Sequence, residues 1–324
     1  MKIMICLVGG QPAPNVFPLK EISPDHLVLV YSDRTHEVAK NIKSVVEKVL
    51  EINTIALEEI DSAYDFQAIY TKLSNYLNEN GSDTDELIIN LTGGTKIMSL
   101  AAFELARQRS AKAFYYQSED NQSLMHYYHF ENRQLTFDDK KTIDNFLSLD
   151  QYLRLYLTKF KSVKNSKGKD YENNVIGALI NNFGEGEVKE RQLILDKAQK
   201  KPITITQLGE DYELIRSIYP VSSPDVEIDF AIRYKNVVGF AEIKKKAERR
   251  AIDQLNSVAT SENLGSYIYK FIIHSNELHS HHKDAIREYG IISIKLPSAE
   301  ADDTLSDDDK ALLVNTIKTR LTGK

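Results

Sequence analysis

The stretch ELIINLTGGTKIMSLAAFELARQ, residues 86–108, changes period in its middle. ELIINLT is a short apolar run suited to a buried strand, whereas TKIMSLAAFELARQ spaces its apolar residues three and four apart, as an amphipathic helix does. Between the two lies a small turn of glycine and threonine that ends in Lys96. The same alternation extends outward in both directions. KIMICLV (2–8), HLVLVYS (26–32), TIALEEI (54–60) and KAFYYQS (112–118) read as strands, and HEVAKNIKSVVEKVL (36–50) and DFQAIYTKLSNYL (65–77) as helices. Strict alternation predicts an α/β domain with a mostly parallel sheet covered by helices on both faces.

Such sheets bind ligands outside the carboxyl ends of their strands. Three loops stand there: VGGQPAPN (8–15), YSDRTHE (31–37) and NLTGGTK (90–96). Glycines let a backbone approach a ligand closely, and a helix beginning near Thr95 presents its first amides and the positive end of its dipole. Phosphate or carbonyl oxygens suit that environment, although a tight strand-to-helix turn without a ligand would use the same glycines. Two nucleotide motifs are absent. A P-loop needs GxxxxGK[ST], but Lys96 follows GGT and precedes Ile97, and GGQPAP after the first strand does not supply GxGxxG.

At 324 residues the chain has room for two domains, each with its own core. The formal charge of −6 argues against a surface generally coated by nucleic acid while leaving room for a local basic groove. The single cysteine, Cys6, excludes a disulfide framework and any cysteine zinc cluster. MKIMICLV is a short run with no convincing cleavage pattern behind it and reads as a first strand, and no stretch approaches the ~20 apolar residues that span a bilayer. A cytoplasmic protein is expected, in which the N-x-T sequon at Asn90 is accidental.

After KAFYYQS comes a second strand, LMHYYHF (124–130), whose Tyr127 and Tyr128 join Tyr115 and Tyr116 as hairpin packing or a dimer face. The sequence then turns charged and helical through DDKKTIDNFLSLDQYLRLYLTKF (138–160), and the polar KSVKNSKGKD (161–170) suits a boundary. The expected organisation is a first domain over 1–135, a helical linker over 136–160 and a second domain over 161–324.

In the second domain VEIDFAIRY (226–234) and VVGFAEIK (237–244) each alternate, and a tight turn at Lys235 and Asn236 makes them a hairpin. That turn sets Asp229 opposite Glu242 and Glu227 opposite Lys244, while Ile228, Phe230, Ile232, Tyr234, Val237, Ala241 and Ile243 share the other face. Two like charges ~4 Å apart at an effective dielectric near 20 repel by about 4 kcal/mol, so a proton or a cation must compensate. A hard divalent cation suits oxygen ligands, and Lys244 can then activate water or stabilise charge on a phosphoryl centre. This is equipment for phosphodiester hydrolysis, with Asp229 and Glu242 as metal ligands.

GKDYENNVIGALINNF (168–183) predicts an amphipathic helix with Glu172 in its first turns, which could bring a further carboxylate, although a solvated glutamate would look the same. ERRAIDQLNSV (248–258) begins another helix, which carries Gln254 as a candidate contact to the site. KKKAERR (244–250) suits a groove that tracks a nucleic-acid backbone, or a solvated helix start. HSNELHSHH offers His274, His279, His281 and His282, but with no second ligand set it reads as a strand-to-helix loop rather than a metal site.

Taken together these residues resemble the CRISPR-associated CARF nucleases, in which a CARF sensor is fused to a PD-(D/E)xK domain. NLTGGTK is similar to that family's sensor-loop signature, EID followed by EIK to its nuclease signature, and GKDYE to its leading helix motif. The resemblance covers nearly the whole chain. It implies a Rossmann-like CARF domain before a restriction-endonuclease-like α/β domain, and a homodimer that binds one cyclic oligoadenylate, usually cyclic tetraadenylate, across its two-fold axis. By this analogy Gly10, Gln11, Ser32, Asp33, Arg34, Thr92, Gly93, Gly94, Thr95 and Lys96 contact the ligand. Glu172, Asp229, Glu242 and Lys244 would then be the catalytic residues of a Mn2+- or Mg2+-dependent enzyme cutting single-stranded RNA or DNA and nicking duplex DNA. QPAPNVFP (11–18) has no residue-by-residue match. Two rival readings stay open: an idle nuclease fold that binds nucleic acid, which intact Asp229, Glu242 and Lys244 oppose, and a ring nuclease that destroys its own ligand with help from Lys96.

Overall fold

A computed structural model describes the chain apart from residues 83, 120, 145, 163–169, 184–185, 195–201, 222–225, 261–263, 266–267 and 324. Most of the polar boundary at 161–170 therefore lies outside the described residues. The chain divides into two compact units, Met1–Leu147 and Ser148–Lys324.

The first unit holds a seven-stranded sheet of β1 (Lys2–Leu7), β2 (His26–Ser32), β3 (Thr54–Ile60), β4 (Glu86–Asn90), β5 (Lys112–Glu119), β6 (Gln122–Glu131) and β7 (Gln134–Ile143). Its order is β3-β2-β1-β4-β5-β6-β7, with the first five strands parallel and the last two antiparallel. The short helices α1 (Ala13–Val16) and α2 (Leu19–Ile22) follow β1, and α3 (His36–Val49), α4 (Phe66–Asn80) and α5 (Lys96–Arg109) connect the later strands. Leu73, Leu77, Ala102 and Leu105 from α4 and α5 pack on Ile3, Ile5, Val28 and Ile89. The alternate residues Met4, Cys6, Leu27 and Leu29 are buried as well, with α3 against β2 and β3. Burial on both faces is why these strands read as continuous apolar runs.

The helical linker expected over 136–160 is corrected. Its first part lies in β7, paired along β6 from Glu131–Gln134 to Ser123–Ile143, and helix appears only at α6 (Leu149–Leu157). QLTFDDKKTI is almost wholly exposed as an edge strand, so its charges blunt the edge and conceal the strand from a reading by hydrophobicity.

The second unit holds β8 (Phe160–Ser162), β9 (Val188–Leu193), β10 (Ile203–Leu208), β11 (Tyr212–Pro220), β12 (Ile228–Tyr234), β13 (Val237–Ile243), β14 (Ile268–His274) and β15 (Ile291–Lys295). They form a mixed sheet in the order β15-β14-β13-β12-β11-β10-β9, with β8 beside β11. Its helices are α6, α7 (Asp170–Asn182), α8 (Arg249–Val258), α9 (Ser280–Glu288), α10 (Ala299–Asp302) and α11 (Asp307–Thr322). Val175 and Leu179 of α7 and Leu313 and Ile317 of α11 close over Phe230, Ile232, Ala241 and Ile243. The hairpin register is the one its alternation predicts, with Phe230 opposite Ala241 and Tyr234 opposite Val237, and Lys235 takes the left-handed conformation in the turn (φ 49°). The other face is buried too, through Ala231, Val238 and Phe240. Hence its carboxylates sit in the protein interior rather than on an open surface.

Candidate ligand loops and carboxylate centre

The strand order of the first unit reverses between β1 and β4, the place where open α/β sheets bind ligands. β2, β1 and β4 are consecutive, so the loops after them line up at one sheet end. Gly93 is dictated by space, since a Cβ there would stand 1.9 Å from the Leu7 carbonyl oxygen. Gly94 adopts φ 70°, and a Cβ at Gly9 would meet its amide nitrogen at 3.1 Å. The two loops therefore touch backbone to backbone. Gly10 has open space around it.

A buried amide pair holds these loops. Asn90 Nδ2 donates to Asn15 Oδ1 at 3.0 Å and to the Pro14 carbonyl at 2.9 Å, Asn90 Oδ1 accepts the Thr92 amide at 3.0 Å, and Asn15 Nδ2 donates to the Leu7 carbonyl at 2.9 Å. Reading the sequence missed this clamp, because nothing local in QPAPNVFP announces a partner 75 residues away. The two threonines are also committed to the fold. Thr92 Oγ1 accepts the Tyr116 amide at 2.6 Å, while Thr95 caps α5 by accepting the Met98 amide at 3.2 Å and donates to the Ala63 carbonyl at 2.6 Å. What remains directed outward is the first turn of α5, with Lys96 exposed. Ser32 receives Thr35 in a tight turn, which leaves Asp33 and Arg34 exposed, and Gln11 is half-buried.

In the second unit, Glu172 from α7, Glu227 just before β12 and Asp229 within it each bring a ligand atom to within 4.8 Å of the others. Three carboxylates so close, two of them buried, form an oxygen donor set suited to a hard divalent cation. Glu242, expected with Asp229 as a metal ligand, lies outside that trio, with its carboxylate on the Lys244 ammonium. The Lys244 ammonium stands 2.7 Å from Glu242 Oε1 and 3.1 Å from Asp229 Oδ2, and Asp229 Oδ2 also accepts the Ile243 amide at 2.6 Å. Burial pushes the Asp229 carboxyl above its ordinary range. Burial first and the Asp229 charge second push Glu242 up to about 8. For Lys244, burial opposes the charge, but Asp229 and Glu242 outweigh it and hold the ammonium above its usual pKa.

Support comes from α8 and β11. Gln254 of α8 does reach the site, donating to the Glu227 carbonyl at 3.0 Å. Arg216 of β11, which the sequence did not single out, donates to Asn173 Oδ1 at 3.1 Å in the first turn of α7. Ser217, between the pairs Arg216–Phe230 and Ile218–Ile228 and so across from Asp229, is buried at φ 44°. A left-handed non-glycine residue inside a strand stores strain of the kind that gathers at functional sites.

Residues 3–152 match the family model of the Card1 CARF domain. Among solved structures, Can2 from Sulfobacillus thermosulfidooxidans, in complex with cyclic tetra-adenylate, aligns with a TM-score of 0.65 at 18% identity over 99% of both chains. Protein VC1899 from Vibrio cholerae aligns with a TM-score of 0.64 at 14% identity over 98% of both chains. A type III CRISPR defence DNA nuclease activated by cyclic oligoadenylate aligns with a TM-score of 0.53 at 14% identity, over 96% of this chain and 44% of that one. No curated protein matches the chain. The fold is thus shared with these structures, and the amino-terminal region is CARF-like. Among the described residues no helix is long and apolar enough to cross a membrane.

Proposed function

We propose that the protein is a homodimeric, metal-dependent nuclease of type III CRISPR defence, cytoplasmic and switched on by a cyclic oligoadenylate, with cyclic tetraadenylate as the first candidate. The convergence of Glu172, Glu227 and Asp229 beside Lys244 carries this reading. The CARF match over residues 3–152 and the cyclic tetra-adenylate bound to Can2 support the activator. The alignment with a cyclic-oligoadenylate-activated DNA nuclease supports the effector class. Sensing belongs to the first unit, at Gly10, Gln11, Ser32 to Arg34 and Thr92 to Lys96. Hydrolysis belongs to the second, as a PD-(D/E)xK domain acting on single-stranded RNA or DNA and nicking duplex DNA.

A Mn2+ or Mg2+ ion on these carboxylates supplies Lewis-acid chemistry for phosphodiester hydrolysis. Glu172, Glu227 and Asp229 are the residues to hold it. Lys244, kept cationic by Asp229 and Glu242, is in reach of the same centre to steady a phosphate oxygen. Gln254 fixes the backbone that carries Glu227. In the sensor, the glycine contact between the β1 and β4 loops leaves backbone amides and Lys96 to receive a phosphate ring.

The test incubates the protein with Mn2+, a panel of cyclic oligoadenylates, and labelled RNA and DNA. Cleavage is expected only with both metal and ring, and EDTA should abolish it. Full activity in EDTA, or undiminished activity without a ring, would overturn the reading.

A further inference from the structure

Three of the four clustered histidines come together in space where the expected strand-to-helix loop after β14 runs into α9. The ring centroids of His279 and His281 lie 5.7 Å apart, those of His279 and His282 5.7 Å, and those of His281 and His282 4.2 Å. Three imidazoles bound to one tetrahedral ion through ~2.0 Å metal–nitrogen bonds have ring centroids about 5 Å apart. The observed spacings bracket that value, but the ring nitrogens do not all lie within 4.8 Å of one another as the rings stand, so an ion would require the rings to turn toward it. The backbone is fixed by the start of α9, where the His282 amide donates to the His279 carbonyl at 3.0 Å.

His282 is 8% exposed, and its Nδ1 makes no hydrogen bond among the described residues. A buried ring nitrogen left in that state is costly unless something binds it. His274 is different. Its Nδ1–H donates to the Asn276 carbonyl at 2.9 Å and its Nε2 accepts from Ser293 Oγ at 2.7 Å, so it is fully used. The charged groups near His282 are Glu248 and Arg249. Arg249 is drawn away, with Nε on both Asp253 oxygens at 2.9 and 3.0 Å and its guanidinium on the Tyr289 hydroxyl at 2.8 Å.

We propose that His279, His281 and His282 form a binding site for a borderline divalent transition metal such as Zn2+, distinct from the carboxylate centre. All-imidazole donors select such ions over Mg2+ or Mn2+. Glu248 stands at the start of α8, which packs against α9. The proposal is independent of the nuclease reading.

The test titrates chelator-stripped full-length protein with ZnCl2 in an Asp229→Asn background, which weakens the carboxylate centre as a competitor. About one Zn2+ per chain is expected. Adding His279→Ala and His281→Ala, both at exposed positions, should weaken Zn2+ binding by at least about tenfold, while the same pair in the wild-type chain leaves the Mn2+ titration unchanged. Equal Zn2+ binding with and without the histidines, or none in the Asp229→Asn background, overturns the proposal.

Discussion

Asp229 uses one oxygen, Oδ2, to accept both the Ile243 backbone amide at 2.6 Å and the Lys244 ammonium at 3.1 Å. A side chain thereby takes the place of a strand carbonyl just beyond the Phe230–Ala241 pair. The carboxylate is fixed by the sheet itself. Fold and charge can therefore be separated by substitution.

Asp229→Asn retains an oxygen for the Ile243 amide but loses the negative charge, so the variant should fold and fail to cut. Losing a charged ligand costs several kcal/mol in the transition state, a drop on the order of 100-fold or more in rate. Lys244→Ala and Glu242→Ala should fall similarly. Cyclic tetraadenylate affinity should hold within a few-fold, since coupling between sites is typically ~1–3 kcal/mol. Single-turnover cleavage and calorimetry on the same preparations decide it, and near-wild-type rates in all three would move the active site elsewhere.

Metal uptake should depend on pH in a defined direction. With its pKa raised to about 8, the native metal-free protein retains a proton on Glu242 that the unfolded chain sheds near its ordinary value, so this group's contribution to stability falls as pH rises between the two. Binding a cation beside it favours release of that proton, and apparent affinity should climb by up to ~10-fold per unit up to about pH 8 and then level off. The Mn2+-induced melting shift measured from about pH 6 to about pH 9 reads this out. Glu242→Gln should flatten the profile.

The two glycine positions should behave oppositely. Gly93→Ala puts a methyl 1.9 Å from the Leu7 carbonyl oxygen and must displace the loop, whereas Gly10→Ala meets nothing within 4 Å. Ring binding should be lost in the first and kept within a few-fold in the second, as measured by calorimetry after circular dichroism has confirmed folding. Equal affinities would make the turn purely architectural.

Thr95→Ala removes an N-cap and the bond to Ala63, so the first unit should lose about 1 kcal/mol or somewhat more. Thr95→Ser should restore most of it. Urea denaturation followed by a probe in the first unit distinguishes this capping role from a contact made only with the ligand, which would leave apo stability unchanged.

Sequence disclosed what repeats and withheld what does not. HLVLVYS coincides with β2 because a parallel strand buried on both faces leaves an unbroken apolar run, whereas β3 at the sheet edge is buried only at Ile55 and Ile60. The hairpin register was readable because period-two alternation and a two-residue turn agree on one answer. β7 was hidden by its exposed charges. The Asn15–Asn90 clamp joins residues far apart in the chain, which no local pattern encodes, whereas Glu172, singled out from GKDYE, lies with Glu227 and Asp229.

The turn at Lys235 and Asn236 lies equally far along the chain from Asp229 and from Glu242, and this makes the hairpin a ruler. Any residue inserted into one arm has to be matched in the other or extruded as a bulge, or else the two carboxylates part to opposite faces of the sheet. Descendants of this sequence can exchange almost every letter along the arms, provided each keeps to its side of the pleat and the two arms change length together. Distant kin are better sought by the equal distance of the two acids from the turn than by matching the text that fills the arms.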